Sequence, residues 1–243
     1  MALAALAALA GAFVQSATGF GFALVLSPAL FAVLEPVEAV TTLLALGLAL
    51  NLLVLFDHGR PEHVDWRGLV PVLVAAVPGL AVGLVALTQL SKEVLQVAVG
   101  VAVVLAAAWQ LHRRQGPRRP RLSAGAGWLV GFASGALTTS ISVSGPPVVL
   151  WLEARAMPPE DFRASLAVSF FAFNLAGGAL LLASEGTDAL EAATILPLLA
   201  LVLVGHVLSA LAFRRLDRER FFTAVLVLVA ATGLASIVAG LAG

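Results

Sequence analysis

Residues 122–152 read LSAGAGWLVGFASGALTTSISVSGPPVVLWL, an unbroken run without one Asp, Glu, Lys or Arg. A helix spans the hydrocarbon core of a bilayer with roughly 20 apolar residues, in a range of about 17 to 25. The run is too long for one comfortable crossing and too short for two. Its centre, Thr138-Thr139-Ser140-Ile141-Ser142-Val143-Ser144-Gly145-Pro146-Pro147, frees backbone groups that hydrocarbon cannot satisfy. Such backbone persists only where protein or a water-filled cavity covers it. A single long kinked helix is the plain alternative; we read the stretch as a broken helix that dips in and returns.

A second run of the same kind, residues 1–34, carries Ser16-Ala17-Thr18-Gly19-Phe20-Gly21-Phe22 and then Ser27-Pro28. Its start, MALAALAALAGAF, has the small apolar residues of a secretory leader. It lacks a basic n-region, since the first basic residue is Arg60, and its apolar pattern runs past any cleavage site, so it is expected to stay in the mature protein. Six further charge-free runs, at 39–56, 69–91, 94–111, 164–184, 192–213 and 221–243, each have about the length of one crossing. In a soluble fold, helices of that size would carry a polar stripe. The 243 residues are 60% hydrophobic and 12% charged, against about 45–50% and 25% for soluble domains. The fold class predicted is an all-α integral membrane protein with about eight hydrophobic segments. Zero net charge removes the electrostatic footprint of a nucleic-acid binder, and zero cysteines remove disulfides, thiolate catalysis and Cys-ligated metals.

Charge placement decides how the second long run sits, because Lys and Arg gather on the cytoplasmic side. If all eight runs cross, the fourteen basic residues divide evenly between the two faces. If 122–152 dips and returns, thirteen arginines share one face and Lys92 stands on the other. The second arrangement is the expected one. It makes the loops 57–67, 112–121, 153–163 and 214–220 cytoplasmic.

An internal repeat leads to the same topology. Pro71, Gly79 and Leu90 recur as Pro197, Gly205 and Leu216 at an offset of 126, and Pro36, Glu38, Thr42 and Asn51 match Pro159, Asp161, Ser165 and Asn174 at 123. Pro28 is matched with Pro147 at 119. The predicted organisation is a first membrane repeat at 1–111, a basic cytoplasmic linker at 112–121 and a second membrane repeat at 122–243. Each repeat is a re-entrant or broken segment plus three transmembrane helices. Equivalent helices are separated by an odd number of crossings, so the repeats are inverted, which is the pattern of secondary transporters with discontinuous helices near the midplane.

In that arrangement the tips of the two dips meet in the middle. The second return helix is expected to start at Gly145-Pro146-Pro147, since proline suits the first helical turn, and the first between Gly21 and Pro28. Two helix N-termini bordered by Ser16, Thr18, Thr138, Thr139, Ser140, Ser142 and Ser144 suit a small oxyanion. Asn51 and Asn174 could add amide donors, or could merely join helices. His206, the one ionisable residue well inside a span, is a candidate proton carrier. It could instead be a neutral imidazole bonded to a neighbouring helix, and its repeat partner is Leu80. Gln15 is a weaker candidate of the same sort. The loop residues Asp57, His58, Glu62, His63 and Asp65 match no metal-ligand spacing and read as a solvated loop. HRRQGPRRPR, from His112, reads as a linker held to anionic headgroups.

GAFVQSATGFGFALVLSPAL (11–30) and GFASGALTTSISVSGPPVVLWL (131–152) resemble the paired motifs of the sulfite exporter TauE/SafE family of membrane permeases, in its branch with Gly-Phe-Gly-Phe and Gly-Pro-Pro. The resemblance implies transport of small, mainly sulfur-containing oxyanions or organosulfonates across the bacterial inner membrane, often outward and driven by an ion gradient. The motif positions it carries are Gly19, Phe20, Gly21, Pro28, Ser144, Gly145, Pro146 and Pro147. The partners expected are a small anionic substrate, a coupling ion (the proton being the one favoured) and the lipid bilayer. A second copy of the chain is left open. No cofactor, metal or catalytic residue is expected, because an enzyme needs a convergent set of acids, bases or ligands within the spans. An anion channel of the same architecture is the nearest rival to a carrier.

Overall fold

The computed structural model describes residues 1–57, 64–114, 122–123, 125–186, 190–212 and 218–242. Most of the Asp57–Asp65 loop and of the basic linker, with the arginines at 214 and 215, lies outside the described residues. The described chain is helical throughout: α1 (Ala2–Thr18), α2 (Phe22–Phe31), α3 (Pro36–Asp57), α4 (Trp66–Gln89), α5 (Lys92–Arg114), α6 (Ala126–Ile141), α7 (Gly145–Ala154), α8 (Pro159–Glu185), α9 (Ala192–Ala212) and α10 (Arg218–Ala242). Six of them contain spans apolar and long enough to cross a membrane, in α3, α4, α5, α8, α9 and α10. Large apolar side chains such as Leu129, Leu211 and Val238 stand open on the outside at 72%, 68% and 66% exposure, which only a lipid solvent tolerates over so many helices. α8 begins five residues before its charge-free run, with Glu160 and Asp161 in its first turn, where acidic groups suit the positive end of the helix dipole.

Both long runs are broken helices. α1 stops at Gly19, whose φ of 91° puts it in the left-handed region and whose N–H closes on the Gln15 carbonyl. α2 starts from Gly21, with φ 116° and no room for a Cβ, which would lie 2.9 Å from Val14 Cγ1. α6 stops at Ser142, also left-handed at φ 58°, and α7 starts at Gly145 with prolines in its first turn, as the Gly-Pro-Pro signal predicts.

The chain turns back at each break. A Cβ on Gly11 would lie 2.9 Å from the carbonyl of Phe22, so the start of α2 lies beside the middle of α1. A Cβ on Gly127 would lie 3.1 Å from the Trp151 ring, and the Trp151 indole donates to the Gly68 carbonyl at 3.0 Å. The start of α6, the end of α7 and the start of α4 therefore share one end of the bundle.

Helix boundaries correspond at a fixed spacing. Thr18, Gly19, Gly21, Phe22, Phe31 and Pro36 match Ile141, Ser142, Ser144, Gly145, Ala154 and Pro159, all at 123, and Trp66 and Lys92 match Ala192 and Arg218 at 126. This corrects the pairing of Pro28 with Pro147. At 123, Pro28 matches Trp151 and Pro147 matches Leu24, because proline is tolerated both in a first helical turn and inside the short α2. Packing follows the same exchange. α4 lies on α6 as α9 lies on α1, α3 packs on α8, α5 on α10, and α3–α9 mirrors α4–α8. The α4–α6 contact rests on Gly79, Gly83, Gly131 and Gly135, where any Cβ would collide with a carbonyl oxygen of the facing helix. It is a small-xxx-small interface from both sides.

Candidate functional site

The two breaks enclose a cavity of about 40 Å³ lined by Gln15, Phe20, Gly21, Phe22, Ala23, Leu24, Leu43, Gly47, Asn51, Ser142, Val143, Ser144, Gly145, Phe170 and Asn174. A water needs about 10–15 Å³ by this measure, so the space takes an occupant of a few heavy atoms. Five matched pairs at the spacing of 123 line it together: Phe20 with Val143, Gly21 with Ser144, Phe22 with Gly145, Gly47 with Phe170 and Asn51 with Asn174. Among the described residues no charged side chain lines it.

Two helix starts face this space, and neither is capped by the side chain of its own N-cap residue. At α2 the Phe22 N–H is taken by Gln15 Oε1 at 3.3 Å, which leaves the Ala23 and Leu24 N–H groups among those an α-helix cannot satisfy internally. At α7 the prolines at 146 and 147 bring no N–H, so Gly145 supplies the donor there. The positive ends of both helix dipoles meet across the cavity. Gln15 Nε2 donates to Asn51 Oδ1 at 2.8 Å, which fixes one carboxamide and leaves the Asn51 amide to point elsewhere. Asn174 has no hydrogen-bond partner among the described residues. It lies across α3 where a Cβ on Gly47 would come within 2.5 Å of its Nδ2.

The remaining sequence candidates sit around the cavity rather than in it. Gly19 turns the chain, facing Arg163 and Leu166, while Pro146 and Pro147 set the first turn of α7. Thr138 and Ser140 bond the carbonyls four residues back, on Ser134 and Ala136, and Thr139 bonds the Leu80 carbonyl on α4 at 2.6 Å. Thr18 bonds carbonyls of its own break. His206 Nδ1 lies 2.8 Å from the Ser16 hydroxyl. Among the described residues no group of three or more His, Asp or Glu is placed to hold a metal.

One residue that holds the first break escaped the sequence reading. Arg163, four residues into α8, donates from Nη2 to the Ser16 carbonyl at 2.8 Å. Counting charge-free runs places it in a loop, but its side chain reaches back to the first break. The spacing Arg163, Leu166, Phe170, Asn174 and Gly177 on one face of α8 was the available signal.

Short interior helices that start at a small cavity edged by carboxamides and hydroxyls, inside a shell of apolar helices, define a multi-pass membrane protein of the transport class. A model of the sulfite exporter TauE/SafE family matches residues 3–236, and the chain belongs to that family, which is one of membrane exporters and not of enzymes. It is 28% identical over 165 residues to a probable sulfite/organosulfonate exporter TauE of Cupriavidus necator; the match covers 66% of this chain and 64% of that relative. The chain thus spans less than two thirds of the length of this relative. No solved structure matches it.

Proposed function

We propose that the chain is a secondary transporter of a small sulfur-containing oxyanion or organosulfonate, working by alternating access around the cavity between the breaks. The observation that carries this reading is the convergence of two helix starts, neither capped by its own N-cap side chain, on one small cavity that Gln15, Asn51, Asn174, Ser142 and Ser144 edge and that no cation lines among the described residues. Peptide dipoles and amides attract an anion, and the lack of a full counter-charge favours release as well as capture. A carrier needs both.

The matched helix boundaries and the mirrored packing support two inverted repeats, at 1–111 and 122–243. Each has a re-entrant segment whose tip reaches the bilayer interior, and rocking one repeat against the other would open the site to either side. Arg155 and Arg163 flank the end of α7 and the start of α8, while Lys92 pairs with Glu35 at 3.0 Å at the start of α5. This division supports a cytoplasmic position, in a bacterial inner membrane, for the arginine-bearing end. A proton is the coupling ion we favour, with His206 as its carrier and Gln15 as a lesser participant.

Purified chain in proteoliposomes should move sulfite or a simple sulfonate with saturable kinetics, and a pH gradient should drive accumulation. Ohmic conductance of the same anions would replace the carrier with a channel. Absence of flux for the whole set would overturn the substrate class.

A further inference from the structure

Arg163 breaks the internal symmetry at the tip of the first break. The residue matching it at 123 is Val40, fully buried and apolar, so only one repeat carries a cation at this place. Its guanidinium bonds the Ser16 carbonyl, an open group of the last turn of α1, and its stem lies against Gly19, whose added Cβ would be 3.3 Å from Arg163 Cγ. A cation suits the negative end of a helix. Ser16 is held twice, since its hydroxyl meets His206. Next to it, Gln15 reaches Asn51 and the cavity. On α8 the same face that carries Arg163 carries Phe170 and Asn174, both cavity-lining, so the cation stands two turns from the site toward the start of the helix. The matched place in the other repeat holds no such clasp: Thr139, the mate of Ser16, bonds the backbone of Leu80, the mate of His206.

We propose that Arg163 is a positioning residue, a latch that holds the α1 tip and closes the cavity toward the arginine-bearing end. The Gly19-Phe20-Gly21 link, with a positive φ at both glycines, is the hinge on which the tip moves when the guanidinium leaves the Ser16 carbonyl for an anion arriving at or departing from that end. The latch makes the two directions of access unequal. The idea rests on the transporter reading, but its test does not need transport.

The chain has no cysteine, so Ser144→Cys places a single thiol in the cavity lining. A membrane-impermeant anionic methanethiosulfonate is applied to inside-out and right-side-out vesicles, with and without Arg163→Gln or the stem-preserving Arg163→Met. Losing one charge-assisted hydrogen bond should raise labelling about tenfold from the side of the arginine-bearing end, and Arg163→Lys should restore slow labelling. Either neutral variant that elutes as monodisperse protein suffices. Unchanged labelling, or an increase only from the opposite side, overturns the latch whether or not sulfite is moved. Sulfite flux of the parent chain, measured alongside, judges the transporter reading separately.

Discussion

Asn51 and Asn174 stand at matched positions on α3 and α8 and line the same cavity, yet only Asn51 is held by another side chain, taking a 2.8 Å hydrogen bond from Gln15. The residue that matches Gln15 is Thr138, and its hydroxyl is spent on the Ser134 carbonyl. Asn174 is thereby the adaptable amide of the site. A carboxylate about 4 Å from a bound anion costs roughly 4 kcal/mol at an effective dielectric near 20. Asn174→Asp should raise the half-saturation concentration for sulfite flux about 100-fold or more, and Asn174→Ala by roughly tenfold, the loss of one hydrogen bond to a charged group. An unaltered value in the Asp variant would remove Asn174 from the site.

A Cβ at Gly47 and at Gly131 would each meet a close neighbour, but of different kinds. At Gly47 the obstacle is the end of the Asn174 side chain, which can swing away. Gly47→Ala should leave the melting temperature in detergent close to that of the parent while weakening sulfite uptake. At Gly131 the obstacle is the Val72 backbone carbonyl. Gly131→Ala should cost about 1–3 kcal/mol of stability through overpacking, seen as a lowered melting temperature, and equal stability of the two variants would contradict the packing described.

The two helix stops share a left-handed backbone but not a residue type, Gly19 with φ 91° and Ser142 with φ 58°. A side chain in that region costs roughly 1–2 kcal/mol. Gly19→Ser should therefore destabilise, with added crowding against Arg163, whereas Ser142→Gly should be neutral or slightly stabilising in a thermal denaturation series. Destabilisation by Ser142→Gly would show that its hydroxyl, bonded to the Thr138 carbonyl, outweighs the relieved strain.

Lys92 is the chain's single lysine and pairs with Glu35 at the start of α5. An impermeant amine-reactive biotin should label it in intact right-side-out cells, and Lys92→Arg should abolish that share of the signal. Labelling only in inside-out vesicles would reverse the proposed orientation.

His206 contacts the α1 tip, but its matched residue is Leu80. His206→Leu should keep sulfite binding in a thermal-shift assay and lose the response of flux to an imposed pH gradient. A retained response would leave the imidazole as a helix-joining group bonded to Ser16.

The sequence made the breaks and the spans legible because both depend on local chemistry. Charge-free length marks a crossing, the Ser/Thr and Gly/Pro clusters mark a break, and Gly145-Pro146-Pro147 marks a helix start; the structure begins α7 at that glycine, while Gly19 and Gly21 by themselves suit a kink as well as a reversal. The hydroxyl cluster was less legible. Composition assembles Thr138, Thr139 and Ser140 near the break, but helical phase turns them to carbonyls of α6 and α4, leaving Ser142 and Ser144 at the cavity. Arg163 was hidden for the opposite reason. It falls in a charged stretch by position, and only the reach of its long side chain brings it to Ser16.

The α1–α9 contact also bears on how the protein is made. The partner of Ser16, His206, is synthesised 190 residues after it. The Ser16 hydroxyl must therefore wait in the membrane for this partner until α9 has been synthesised, whereas Gln15 and Thr18 find theirs within α1–α3. Contacts so distant in sequence close slowly, so truncation before α9 should expose α1 to quality control rather than yield a fragment able to persist.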